Sequence, residues 1–117
     1  MDEKDLKTVE TCRKQIPAVH DALDILNGRW KITIITSLFF SKMRFTDLLR
    51  EVNGISGKML SRELKDLEIN QLIKRTVLDI QPIGVEYELT DYGRTLEKVV
   101  IALSEWGLDH RKKIIGK

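Results

Sequence analysis

One cysteine, Cys12, excludes an intrachain disulfide, and a reducing cytoplasm is the expected home of such a chain. Histidine is equally sparse. His20 and His110 stand far apart, and with one thiol they make no metal-ligand set, so His20 reads as a surface or interface histidine. No stretch approaches the ~20 consecutive apolar residues of a membrane helix. The N-terminus opens on acids rather than on a basic segment followed by an apolar run, so neither a secretory signal nor membrane attachment is expected. There is no phosphate-cradling glycine loop, the carboxylates are scattered, and no motif sets a histidine beside the thiol, which argues against an enzyme and implies no cofactor. Internal repeats and low-complexity tracts are missing as well.

Charge of one sign is also lacking. Twenty basic and 18 acidic residues leave a formal net charge of +2, so distribution, not total, must reveal a polyanionic partner. That distribution is uneven. Residues 1 to 10 hold Asp2, Glu3, Asp5 and Glu10 against Lys4 and Lys7, whereas Lys42, Arg44, Arg50, Lys58 and Arg62 outnumber Asp47 and Glu51 between 41 and 62. The length, 117 residues, with 42% hydrophobic content, suits one packed domain.

The stretch Ile55 to Leu67 organises the rest. Leu60, Leu64 and Leu67 recur at helical spacing, while Lys58, Ser61, Arg62 and Lys65 gather roughly half a turn away. One face can be buried and the other offered to a partner with readable polar edges, as duplex DNA has. Before it, Leu6, Val9 and Cys12 mark a short exposed helix. Pro17 opens a second helix, with Val19, Ala22, Leu23 and Leu26 as its apolar stripe and Asn27-Gly28 as its stop. Trp30 to Phe40 is apolar nearly throughout. Its β-branched content permits a strand, but its length and the helix-turn-helix pattern after it favour a buried helix. After a break at Ser41 to Met43, a short helix beginning at Arg44 buries Phe45, Leu48, Leu49 and Val52, Asn53-Gly54 closes it, and Ser56 caps the next helix.

Two short helices joined by a turn make a helix-turn-helix in the physical sense. Beyond Asn70 the period changes. Leu72 to Leu78 and Val85 to Leu89 read as strands, and Asp79 to Gly84, with Pro82, as the hairpin between them, a wing. Thr90 or Asp91 then caps a long last helix, whose Leu96, Val99, Val100, Leu103 and Trp106 keep to one side as far as Gly107 before the basic tail Arg111, Lys112, Lys113, Lys117. This stripe exceeds what one small winged domain needs, which points to pairing with a second copy. The fold class is therefore mainly α with a small β-hairpin wing. One domain spans 1-117, with the helices at 1-16 and 91-113 in a homodimer interface through Leu6, Val9, Val99, Leu103 and Trp106.

Four motifs in order, Asn27-Gly28-Arg29-Trp30, Arg44-Phe45-Thr46-Asp47-Leu48, Ile55 to Leu64 and Val85 to Gly93, make the chain resemble the HxlR-type winged-helix transcription regulators of the wider MarR-like class. The resemblance runs from about Pro17 to Trp106. It implies a bacterial homodimer that binds near-palindromic operators, paired through its N- and C-terminal helices. Three places depart from the family pattern. Gly57 stands where a proline commonly follows the capping serine, loosening the helix start. Gly84 replaces a basic residue before Val85, leaving the flanking Lys74 and Arg75 as the wing's cations. Ile16 occupies the place of a cysteine that senses oxidants in some relatives. Cys12 lies one turn earlier, near Arg13 and Lys14, and an unreactive thiol is favoured there over a redox sensor.

On this basis Lys58, Ser61, Arg62 and Lys65 are expected at the major groove, with Arg62 suited to a guanine edge and the lysines also able to take phosphates. Ser56, Arg44 and Thr46 are candidate phosphate contacts. A small-molecule effector of unknown identity could sit near Trp30 and Trp106, although tryptophans are more often core. The alternative from another class is a winged-helix module that binds a protein and never reads DNA, favoured by the near-neutral charge and the bare wing.

Overall fold

The computed structural model describes residues 3–81 and 84–116, with the side chains of residues 3–7 and of Cys12 outside that description. The centre of the molecule is helix α3 (Trp30–Phe40), which buries Ile34, Ile35 and Leu38. Its polar residues do not oppose that burial. Thr33, Thr36 and Ser37 each donate a hydroxyl to the carbonyl four residues back, on Arg29, Ile32 and Thr33. Helix length, not β-branched propensity, therefore decided this segment.

Two helices precede α3 and two follow it before the wing. Helices α1 (Glu3–Lys14) and α2 (Ile16–Ile25) are separated at Gln15, with Pro17 in the first turn of α2. Helix α4 (Phe45–Glu51) buries Leu48, and helix α5 (Gly57–Ile69) buries Leu60, Leu64 and Leu67. These leucines join Ile34, Ile35, Leu38, Val52, Leu72, Tyr87 and Leu89 in one apolar cluster. Gln71, in the left-handed region at φ 63°, turns the chain from α5 into the sheet.

The sheet has three strands where the sequence suggested two. Strand β2 (Ile73–Leu78) pairs antiparallel with β3 (Gly84–Leu89) from Ile73↔Leu89 to Leu78↔Gly84, and β1 (Met43–Arg44) adds to the other edge of β3 through Met43↔Tyr87 and Arg44↔Glu86. Two residues carry no periodicity, so β1 could not be seen in the pattern. Gly84 belongs to β3 rather than to the hairpin turn, and the expected placement of Pro82 in that turn lies outside the described residues.

The expected single C-terminal helix is broken. Thr90 caps a one-turn helix α6 (Asp91–Arg94), and α7 (Glu97–Ile115) begins after Thr95 and Leu96. The cause is a close contact at the corner. Thr90 Oγ1 accepts from the Gly93 N–H at 2.9 Å and donates to the Gln71 carbonyl at 2.7 Å, tying α6 to the end of α5. Gly93 then lies so near β2 that a β-carbon would fall 2.0 Å from the Leu72 carbonyl oxygen. Gly107 does not end the last helix, which continues to a left-handed cap at Gly116.

Much of the apolar surface of the terminal helices is uncovered. Neither α2 nor α7 contains a buried residue, and Val19 and Leu23, in the apolar stripe of α2, are 54% and 60% exposed. The Cα radius of gyration, 17.7 Å, exceeds the roughly 13 Å of a compact chain of this length. No helix among the described residues is long and apolar enough to cross a membrane.

The Gly93 contact leaves no room for a side chain. Gly93→Ala is expected to cost about 1–3 kcal/mol by overpacking, read from urea denaturation, and an unchanged midpoint would refute the close approach.

Candidate nucleic-acid interface

Helix α5 is set in rotation by what its inner face meets. The leucine stripe is buried, and beside it Glu63 accepts from the ammonium of Lys31 at 2.7 Å. Lys31 projects from α3, is only 5% exposed, and also reaches Asn27 Oδ1 at 3.3 Å and Asp66 Oδ2 at 3.5 Å. A buried ammonium with three oxygen partners keeps its hydrogen bonds while joining the core helix to α5. With Leu60, Glu63, Leu64 and Leu67 turned inward, Lys58, Ser61, Arg62 and Lys65 are turned outward, and all four are at least partly exposed.

The start of α5 is well formed. Ser56 Oγ accepts the Met59 N–H at 3.1 Å, and Gly57 enters the helix at once with open space where a β-carbon would stand. Ser56, Lys58, Met59 and Arg62 border a shallow cavity there. A larger cleft of about 560 Å³ separates α5 from the sheet, lined by Ser61, Lys65, Glu68, Ile69, Arg75 and Tyr87. Lys65 and Arg75 thus face one concave surface from two elements. Lys74 is exposed on the same strand, opposite Glu88. Among the described residues, no ion pair engages Lys58, Arg62, Lys65, Lys74 or Arg75.

The start of α4 differs in kind. Asp47 Oδ2 accepts the Arg44 N–H at 3.2 Å and Oδ1 accepts from Arg50 Nη2 at 2.7 Å, closing the first turn. The Arg44 backbone hydrogen bond, then that from Arg50, hold the Asp47 carboxyl below its usual 3.8 against the cost of desolvation, with the charges of both guanidiniums adding to the same effect. The Arg44 side chain is half-buried and lies across Gly84, Nη1 3.4 Å from the place of a β-carbon. It therefore packs against the wing instead of standing free at the helix start. Thr46 is exposed, and Lys42 pairs with Glu86 at 3.5 Å.

The other expected residues are dispersed. Val9, Leu103 and Trp106 are exposed and Val99 is half-buried, while the side chains of Leu6 and Cys12 lie outside the described residues. Trp30 packs toward Gly54 beneath the Arg29 guanidinium, whereas Trp106 stacks on His110 along α7 with ring centres 5.1 Å apart. Neither tryptophan lines the cavities beside α5. Lys31 escaped the sequence reading altogether. Its signal was available, as the one charge inside an eleven-residue apolar run, but its partners on α5 lie over thirty positions away and no spacing rule links them.

The HxlR-like helix-turn-helix family model matches residues 25–114. The HTH-type transcriptional regulator YtcD of Bacillus subtilis is 37% identical over 99 residues, covering 85% of this chain and 79% of that protein. Among solved structures, the redox regulator HypR in its reduced form superposes with a TM-score of 0.78 at 34% identity, over 86% of this chain and 99% of that one. A MarR-family regulator from Enterococcus faecalis superposes with a TM-score of 0.76 at 30% identity, over 86% and 92%.

Three variants test the local chemistry. Lys31→Met strands Glu63 and should cost about 1.5–3 kcal/mol in urea denaturation, with Lys31→Met/Glu63→Leu recovering much of it; equal loss in both variants would show that the ion pair matters less than the space it fills. For Asp47, a folded pKa below the unfolded one means stability present above about pH 3.8 and lost as pH falls through the lower folded value. The stability gap between wild type and Asp47→Asn should hold constant above about pH 5 and close on acidification, and a gap independent of pH would contradict the assigned contacts.

Proposed function

The chain belongs to the HxlR-like helix-turn-helix family of transcriptional regulators, and from that premise we propose that it binds duplex DNA as a homodimer, with α5 in the major groove. One observation carries this reading: three cations and a serine, none held by an ion pair among the described residues, share the outward face of a helix whose inward face is fixed by three leucines and Glu63. Arg62 offers a bidentate fork to a guanine edge. Lys58 and Ser56, at the helix start, and Lys65 and Arg75, across the cleft, take phosphates on either side. Thr46, at the start of α4, and Lys74, on the face of β2 opposite Arg75, are further phosphate contacts in this reading. Arg44 acts less as a free contact than as the group that seats the wing, through its packing over Gly84.

Pairing follows from the uncovered terminal helices. The exposed Val9, Val19, Leu23, Leu103 and Trp106 provide an apolar area that a two-fold partner can bury. Such a pair presents two α5 helices to half-sites about 34 Å apart, or a multiple of it, which suits a near-palindromic operator.

Arg62→Ala should cost about 1–3 kcal/mol on the selected operator and relax one base preference, whereas Lys65→Ala should weaken binding to all sequences and reduce the salt slope by about one unit. Fluorescence anisotropy from about 50 to 300 mM salt reads both. Binding unaffected by either substitution, or indifferent to salt, would favour a protein-docking module instead.

A further inference from the structure

A hollow of about 270 Å³ lies where α2 passes the corner between the start of β2 and α6, and it shares no residue with the cavities beside α5. Its floor is apolar. Leu72 there is 3% exposed and Leu96 is half-buried. Its rim is open and polar, with Asp21 on α2 and Tyr92 and Thr95 across from it, all three exposed. A dry apolar floor with a few polar groups at the opening is the composition of a small-molecule pocket. The Thr95 hydroxyl already donates to the Tyr92 carbonyl. The Asp21 carboxylate is engaged by no ion pair among the described residues, and no basic side chain lines the hollow.

Charge and volume together select the occupant. With an apolar body on the floor, an anionic group at the rim is repelled by Asp21. A cationic group gains that carboxylate and also the ring of Tyr92, 57% exposed, whose face attracts cations. At the ~30 Å³ that a water molecule occupies in the liquid, the hollow has room for roughly ten non-hydrogen atoms.

We propose that this hollow binds a small apolar organic cation, an arylalkyl amine or ammonium of that size, with its body on Leu72 and Leu96 and its nitrogen at Asp21. The site is independent of the DNA-binding reading, and neither tryptophan lines it. Its floor belongs to a fixed part of the fold, since the Leu72 carbonyl accepts the Thr90 N–H at 3.1 Å and lies against Gly93. A bound cation therefore bridges α2 to the corner where α5 passes into the wing.

Phenylbutylamine, phenylbutanol and phenylbutyrate share one body and differ in charge. Titrated into the isotope-labelled full chain and followed by amide NMR shifts, the amine should bind about three- to tenfold more tightly than the alcohol, and the carboxylate more weakly than either. The shifts should centre on Asp21, Ala22, Leu72 and Leu96. Asp21→Asn, a surface change of equal size, should bring the amine to within about twofold of the alcohol. Ala22→Phe, whose ring occupies the hollow, should weaken both by about tenfold or more, with circular dichroism verifying that the variant is folded. Equal affinity of wild type for amine and alcohol would overturn the proposal, as would an amine preference that survives Asp21→Asn. So would shifts centred elsewhere, or none at about 5 mM ligand. Shifts that fade as the protein is concentrated would give the hollow to a side chain of a second copy, and would overturn it too.

Discussion

The ammonium of Lys31 is the fixed point on which the presentation of α5 depends. A charge that is 5% exposed is tolerated only with its hydrogen bonds made, and here they go to Glu63, Asp66 and Asn27. Two of those partners sit on α5. Leucines alone would bury an apolar stripe with some freedom to roll, whereas the short bond to Glu63 adds a directional constraint at the middle of the helix. The outward set Lys58, Ser61, Arg62 and Lys65 is the geometric consequence. Apolar packing supplies the attraction, and the ion pair selects the rotation.

A second constraint fixes the wing relative to that helix. Gln71 in the left-handed region, the doubly bonded Thr90 hydroxyl and the absent side chain of Gly93 bring the end of α5, the start of β2 and α6 to one corner. From there β3 is held between β2 and the two-residue β1. Arg44, leaving β1 for α4, lies across Gly84 and joins the bracing helix to the wing. Arg75 therefore faces Lys65 across a cleft whose walls are anchored at both ends. The terminal helices stand outside this framework and leave much of their apolar surface uncovered.

Much of this was legible in the sequence, and the gaps have physical causes. The faces of α5 followed from period alone, since Leu60, Leu64 and Leu67 are buried and the four polar residues opposite are not. Ser56 as cap and the two main strands were equally plain. Periodicity failed where a structure is too short to show a period, as at β1, and where long-range chemistry decides, as at Lys31. The stripes of α2 and α7 are genuine, but amphipathicity states only that a face seeks cover, not that its own chain provides it. The break between α6 and α7 was hidden for a related reason: Gly93 is required by the Leu72 carbonyl, far back in the chain, and not by its neighbours.

The central claim is that the outward face of α5 enters the major groove, twice per assembly. Affinity cleavage measures this directly: Ser61→Cys, in a Cys12→Ser background, carries an iron chelate into the complex with selected operator DNA. Two clusters of strand cuts, centred about 34 Å or a whole multiple of it apart along the duplex and offset as major-groove cleavage requires, are predicted. Cuts confined to one site, or no cuts above those made by a chelate placed at the distant Lys98→Cys, would contradict the account.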